Sequence, residues 1–107
     1  MTLNIPLKDA NKVKKGEPFY TIKHILKRNF KEQMLADKIL TRKDSSMQFK
    51  ILSYEIFDNM HDAFKCFDFK LFNAGNTQEE VFRYYRNLNG NRSPKKWVTI
   101  VFYLKEL

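Results

Sequence analysis

The chain has 107 residues and carries 20 Lys and Arg against 12 Asp and Glu, a formal net charge of +8. That length predicts a single domain over residues 1–107 with one core. A hydrophobic content of 43%, with ten Phe, five Tyr and one Trp, argues against a disordered chain. Cys66 is the single cysteine, which excludes an internal disulfide and a thiolate zinc cluster. No apolar run approaches the ~18 residues of a membrane span, and no charged start leads into a long apolar stretch. The expected location is therefore cytoplasmic, without a membrane partner.

Taken in chain order, Leu3-Asn4-Ile5-Pro6 reads as a short extended lead-in. Leu7, Ala10 and Val13 recur every three residues, which predicts a short helix from Leu7 to Lys15. Gly16 stands just past its end and Pro18 follows as a stop. Phe19 to Lys23 is aromatic and β-branched and reads as a strand. Alternation places Thr21 and Lys23 on one face and Tyr20 and Ile22 on the other.

Residues 24–35 are ambiguous: Ile25, Leu26, Phe30, Met34 and Leu35 fit a helical stripe with basic residues opposite. Asp37 to Arg42 reads as a strand, Asp44-Ser45-Ser46 as a turn and Met47 to Phe57 as a long strand, together a hairpin. Strict alternation in the long strand groups Phe49, Ile51, Ser53 and Glu55 on one face. It puts Lys50, Leu52, Tyr54 and Ile56 on the other.

Asn59 to Phe67 reads as a short helix capped by Asp58 or Asn59. Cys66, set between Phe64 and Phe67, is expected to be a buried thiol. A clearer helix runs from Thr77 to Leu88, with Asn76 or Thr77 as cap, Glu79 and Glu80 three residues on, and Val81, Tyr84, Tyr85 and Leu88 as its stripe. Asn89-Gly90-Asn91 ends it. After Pro94, Trp97 to Leu104 is apolar on both alternating faces, which predicts a central strand covered on both sides. This order gives an α+β domain, a curled, barrel-like sheet with helices outside.

The positive charge is clustered. Lys12, Lys14 and Lys15 precede the glycine turn; Lys23, His24, Lys27, Arg28 and Lys31 follow the first strand; and Arg92, Lys95 and Lys96 precede the last one. Such clusters favour a polyanion. Thr21 could meet a phosphate or base edge by its hydroxyl, and Lys23 by its charge. Tyr20 or Phe19 could stack on an unpaired base. If residues 24–35 are helical, Lys23, Lys27 and Lys31 form a ridge at i, i+4 and i+8, and each phosphate neutralised adds salt dependence. Lys95 and Lys96 can hold a backbone, while Trp97 is expected to close the end of the core. His24 and His61 are far apart, no metal-binding spacing or glycine-rich phosphate loop occurs, and no cofactor or catalytic set is indicated.

Three segments together resemble a known family. They are Val13-Lys14-Lys15-Gly16-Glu17-Pro18-Phe19-Tyr20-Thr21-Ile22-Lys23, Asn76-Thr77-Gln78-Glu79-Glu80-Val81 with Tyr84-Tyr85-Arg86, and Trp97-Val98-Thr99-Ile100-Val101-Phe102-Tyr103-Leu104. Their order is similar to that of the ASCH family, and the resemblance implies a small PUA-like mixed β-barrel with flanking helices. Gly16 and Thr21 match the family's first motif, and Lys23 stands in for its Arg. Some bacterial members hydrolyse the amide of N4-acetylcytidine with a Lys and a Thr of this motif and a later Glu. Here Pro18 occupies the Lys position, and the stretch from Asn73 to Asn76 lacks the carboxylate.

The resulting expectation is a non-catalytic domain that binds RNA or a modified nucleotide in a basic cleft beside the glycine-turn strand. The residues expected at that cleft are Lys14, Lys15, Tyr20, Thr21, Lys23, Lys27, Arg28, Lys31, Lys95 and Lys96. The alternatives are a nucleoside-processing amidohydrolase with a rearranged catalytic set, and a small basic regulator that docks on an acidic protein surface.

Overall fold

The computed structural model describes residues 16–31, 39–41, 48–89 and 96–107. The expected helix over 7–15, the turn at 44–46 and the candidate residues Lys14, Lys15 and Lys95 lie outside them. Gly16 opens the first described segment with φ of +89°, and among the described residues no atom beyond its chain neighbours lies within 4 Å of a Cβ built on it. Its glycine is therefore required by backbone conformation rather than by crowding.

Strand β1, Phe19–Leu26, follows and runs three residues further than Lys23. The aliphatic residues of the ambiguous segment begin as strand, not helix. The chain then turns over residues 27–29, where the Asn29 amide donates to the Leu26 carbonyl (3.0 Å) and the Phe30 amide to that of Lys27 (3.3 Å). Lys23 lies in a strand and Lys27 in a turn, so the conditional helical ridge through Lys23, Lys27 and Lys31 does not form.

Strands β2 (Ile39–Thr41), β3 (Gln48–Phe57) and β4 (Trp97–Glu106) complete a sheet of order β1-β4-β3-β2, antiparallel throughout. The β2–β3 pairing is the expected hairpin pairing. Between β3 and β4 come helix α1 (Met60–Cys66), a 3-10 turn (Phe69–Phe72) and helix α2 (Gln78–Asn89). The architecture is α+β, and among the described residues the sheet is open, with β1 and β2 at its edges.

β4 has the central position its doubly apolar pattern predicts. Thr99, Ile100, Val101 and Phe102 are buried in succession, so both of its faces are covered. On one face Phe19, Phe49, Ile51, Ile100, Phe102 and Leu104 form a core, with Tyr54 and Ile56 packed against it. Phe19 and Phe49 reach across β4 to meet edge-on at 5.8 Å. On the other face Ile22 and Val101 pack against Met60, Ala63 and Phe64 of α1, Phe72 of the 3-10 turn, and Val81 and Tyr85 of α2. Phe72 sits among the rings there, 5.7 Å from both Phe64 and Tyr85 and 5.9 Å from Tyr20, each near perpendicular. Edge-to-face pairs of this kind are worth about 0.5–1.5 kcal/mol each beyond their burial.

Strict alternation along β3 fails at one residue. Ile51 pairs with Leu104 and Ser53 with Tyr103, which leaves Leu52 as an extra residue in a bulge. The bulge exchanges the faces beyond it, so Phe49 and Ile51 share their side with Tyr54 and Ile56 rather than with Ser53 and Glu55. Leu52 itself is 41% exposed.

Local chemistry sets both helices. Asn59 caps α1 by accepting from the Asp62 amide at 2.9 Å, and Met60, Ala63 and Phe64 face inward. That spacing turns Cys66 away from the core, and the thiol expected to be buried is exposed. Thr77 caps α2, its hydroxyl accepting from the Glu80 amide (3.2 Å), while the Glu80 carboxylate reaches back to the Asn76 amide (2.7 Å). This is a capping-box exchange shifted by one residue. The α2 stripe buries Val81 and Tyr85 but ends before the last turn, where Leu88 is exposed.

Gly75 lets the chain approach this cap. A Cβ there would stand 2.6 Å from the Glu80 Cβ and 3.2 Å from the Val81 amide nitrogen. Gly75→Ala should therefore destabilise the fold by about 1–3 kcal/mol, in the range of other overpacking substitutions. Urea denaturation checks this; an unchanged midpoint would contradict the close approach.

Candidate nucleic-acid interface

The β1–β4 register runs from Phe19 opposite Leu104 to Leu26 opposite Trp97. It continues one step past the strands, where the Lys27 amide donates to the Lys96 carbonyl at 2.8 Å. Residues opposed in this way have Cβ atoms only about 4.5–5.5 Å apart. The backbones of two lysines distant in sequence thus meet at one end of the sheet. Like charges directly opposite one another weaken a sheet, so this pairing is held by the rest of the register rather than by its own side chains.

Around this point Leu26, Lys27, Arg28, Lys96 and Trp97 line a cleft of about 510 Å³. The three cations are exposed, and Leu26 and Trp97 are half-buried. Ammonium and guanidinium groups offer donors to phosphate oxygens, with Arg28 able to make paired bonds. Trp97 adds a large aromatic surface beside them.

One same-face pair further along, about 7 Å away by strand geometry, the Thr99 hydroxyl and the His24 Nδ1 lie 2.9 Å apart. This side-chain pair ties the two strands together beneath the cleft, with Thr99 buried.

Of the ten expected site residues, Lys27, Arg28 and Lys96 are brought together here. Lys31 is exposed but does not line the cleft. Lys23 is half-buried opposite Ile100. Thr21 is 0% exposed and stands on the same face as Phe19 and Phe102, enclosed by the core rather than presented to a ligand. Tyr20 is stacked on Tyr103 at 4.4 Å and meets the edges of Phe67 and Phe72, so its ring serves the packing beneath the helices. At about 3.4 Å per residue, Thr21 lies roughly 17 Å along β1 from Leu26, so the two ends of the strand cannot serve one small pocket.

Trp97, expected to close the end of the core, is half-buried and also lines this cleft. The sequence signal for its place in a basic cleft is that it begins a strand directly after two lysines. Among the described residues no cluster of three or more His, Cys, Asp or Glu could hold a metal ion, and no helix is long and apolar enough to cross a membrane. Compared with family models, curated proteins and solved structures, the chain matches none.

Thr99→Val keeps the side-chain shape but removes the hydroxyl that meets His24 Nδ1. The expected loss of stability is about 1 kcal/mol, measured by chemical denaturation, and a loss near zero would show that the His24–Thr99 contact does not tie the strands.

Proposed function

We propose that the chain is a non-catalytic, ASCH-like domain of PUA-like fold that binds single-stranded RNA, or a modified nucleotide within it, at the cleft formed by Leu26, Lys27, Arg28, Lys96 and Trp97. The observation that carries this reading is the convergence of three cations from two separate chain segments beside one half-buried indole. A base lying on Trp97 contributes about 1–3 kcal/mol and needs no sequence preference. The fold assignment is supported by the glycine turn leading into β1, the Thr77-led α2 and the central apolar β4, in the order that the resemblance requires.

In this account Lys27, Arg28 and Lys96 neutralise successive phosphates while Trp97 receives an unstacked base. Thr21 contributes to the core beneath β1, so discrimination between bases rests on the shape around Leu26 and Trp97. The charge of +8 concentrates an anionic strand near the surface, and the cleft selects where it settles.

Binding of a short RNA, with a DNA of equal length beside it, is measured over a salt series. Three phosphate contacts predict a log–log salt slope of about −2 for a single strand, and each of Lys27→Ala, Arg28→Ala and Lys96→Ala should flatten it by about 0.7. Trp97→Phe, which keeps a ring, should weaken binding less than Trp97→Ala. RNA preference supports recognition of the ribose, whereas equal binding to DNA would reduce the reading to a general single-strand binder. Absence of binding at low salt, or binding untouched by the three alanine variants, would contradict the assignment.

A further inference from the structure

A second cleft, of about 330 Å³, is lined by His61 of α1 and by Gln78, Glu79, Phe82, Arg83 and Arg86 of α2, and it shares no residue with the first. Positions 79, 82, 83 and 86 follow the i, i+3, i+4, i+7 pattern of one helix face. Between the two helices the His61 ring lies on Phe82, with centroids 4.7 Å apart and planes at 34°. Phe82 is itself set against the buried Phe64, at 6.2 Å. An aromatic ledge anchored to the core therefore forms one wall.

The other walls are polar. Arg83 and Arg86 are exposed, and among the described residues no ion pair engages either of them. Glu79 stands one turn before Arg83 without pairing to it, and Gln78 adds an amide. The cleft thus offers two guanidiniums, a carboxylate, an amide and a ring surface. A simple anion would use the guanidiniums but be opposed by Glu79. A plain aromatic compound would use the ledge but draw nothing from the guanidiniums, which water solvates.

We propose that this cleft is a separate site for a mononucleotide. Arg83 and Arg86 take the phosphate through charge-assisted hydrogen bonds. The base lies against the His61–Phe82 ledge, and Glu79 and Gln78 accept from N–H donors on its edge. The volume is at the lower end of that of small-molecule pockets, which suits one nucleotide rather than a strand.

The test uses the full chain with guanosine 5′-monophosphate, whose base edge carries adjacent N–H donors suited to a carboxylate, and with inorganic phosphate separately. Binding is followed by two-dimensional amide NMR. The nucleotide should shift the amides of residue 61 and residues 78–86 and saturate there, with or without separate shifts at Lys27, Arg28 and Trp97. Arg83→Ala and Arg86→Ala should each weaken it about tenfold. His61→Ala should weaken the nucleotide while leaving the weaker binding of inorganic phosphate unchanged. Shifts confined to the first cleft, no shift at millimolar nucleotide, or affinity unaltered in both arginine variants would overturn the proposal. Because Lys27, Arg28 and Lys96 take no part, failure of RNA binding at the first cleft would leave this result readable on its own.

Discussion

The antiparallel register between β1 and β4 is the constraint on which the rest of this molecule depends. It pairs eight residues without interruption and then extends by one more hydrogen bond, from the Lys27 amide to the Lys96 carbonyl. Side chains projecting from this ladder supply both cores: Phe19, Ile100 and Phe102 on one face, Ile22 and Val101 on the other. A slip of β1 by one residue would turn its faces over and send Ile22 away from Val101 and the helices. The same slip would separate Lys27 from Lys96. Stability and the basic cleft are thus fixed by one pairing, the cleft standing at its end.

The burial pattern explains why such a register tolerates a repulsive lysine pair at its end. Fully burying a Phe, Leu or Ile side chain is worth about 1.5–3 kcal/mol, and β1, β3 and β4 bury Phe19, Phe49, Ile51, Ile100, Phe102 and Leu104 on one face, with Ile22 and Val101 on the other. Against that, opposed exposed ammonium groups cost a fraction of a kcal/mol, comparable to other cross-strand pairs. Packing therefore decides the register, and the charges follow. The bulge at Leu52 works in the same direction. By stepping out of the ladder it lets Tyr54 and Ile56 join Phe49 and Ile51, and it leaves Ser53 and Glu55 on the opposite face.

Much of this was legible in the sequence because the signals are local. The apolar run from Val98 to Leu104 can only suit a strand covered on both sides, and Thr77 followed by Glu80 marks a helix start. What was not legible depends on partners distant in the chain. Nothing within Gln48–Phe57 announces that Leu52 will be skipped, since the bulge is defined against Leu104 and Tyr103. The segment after Lys23 has a helical stripe by spacing, yet β4 offers its backbone a ladder as far as Leu26, and tertiary pairing overrides local periodicity. Thr21 is polar by type but lies opposite Phe102 and is enclosed. At the candidate site the charged members, Lys27, Arg28 and Lys96, stand out by composition alone. Their convergence on Trp97 requires the register.

The chain's single tryptophan stands in the proposed cleft, which gives the central claim a direct optical probe. The decisive measurement is Trp97 fluorescence during titration with a short single-stranded RNA, with acrylamide quenching before and after saturation. The account predicts that emission changes in step with binding and that acrylamide then quenches Trp97 less, because a base covers the indole. Tight RNA binding with Trp97 emission and quenching unaltered would place the strand elsewhere on the molecule and contradict the account.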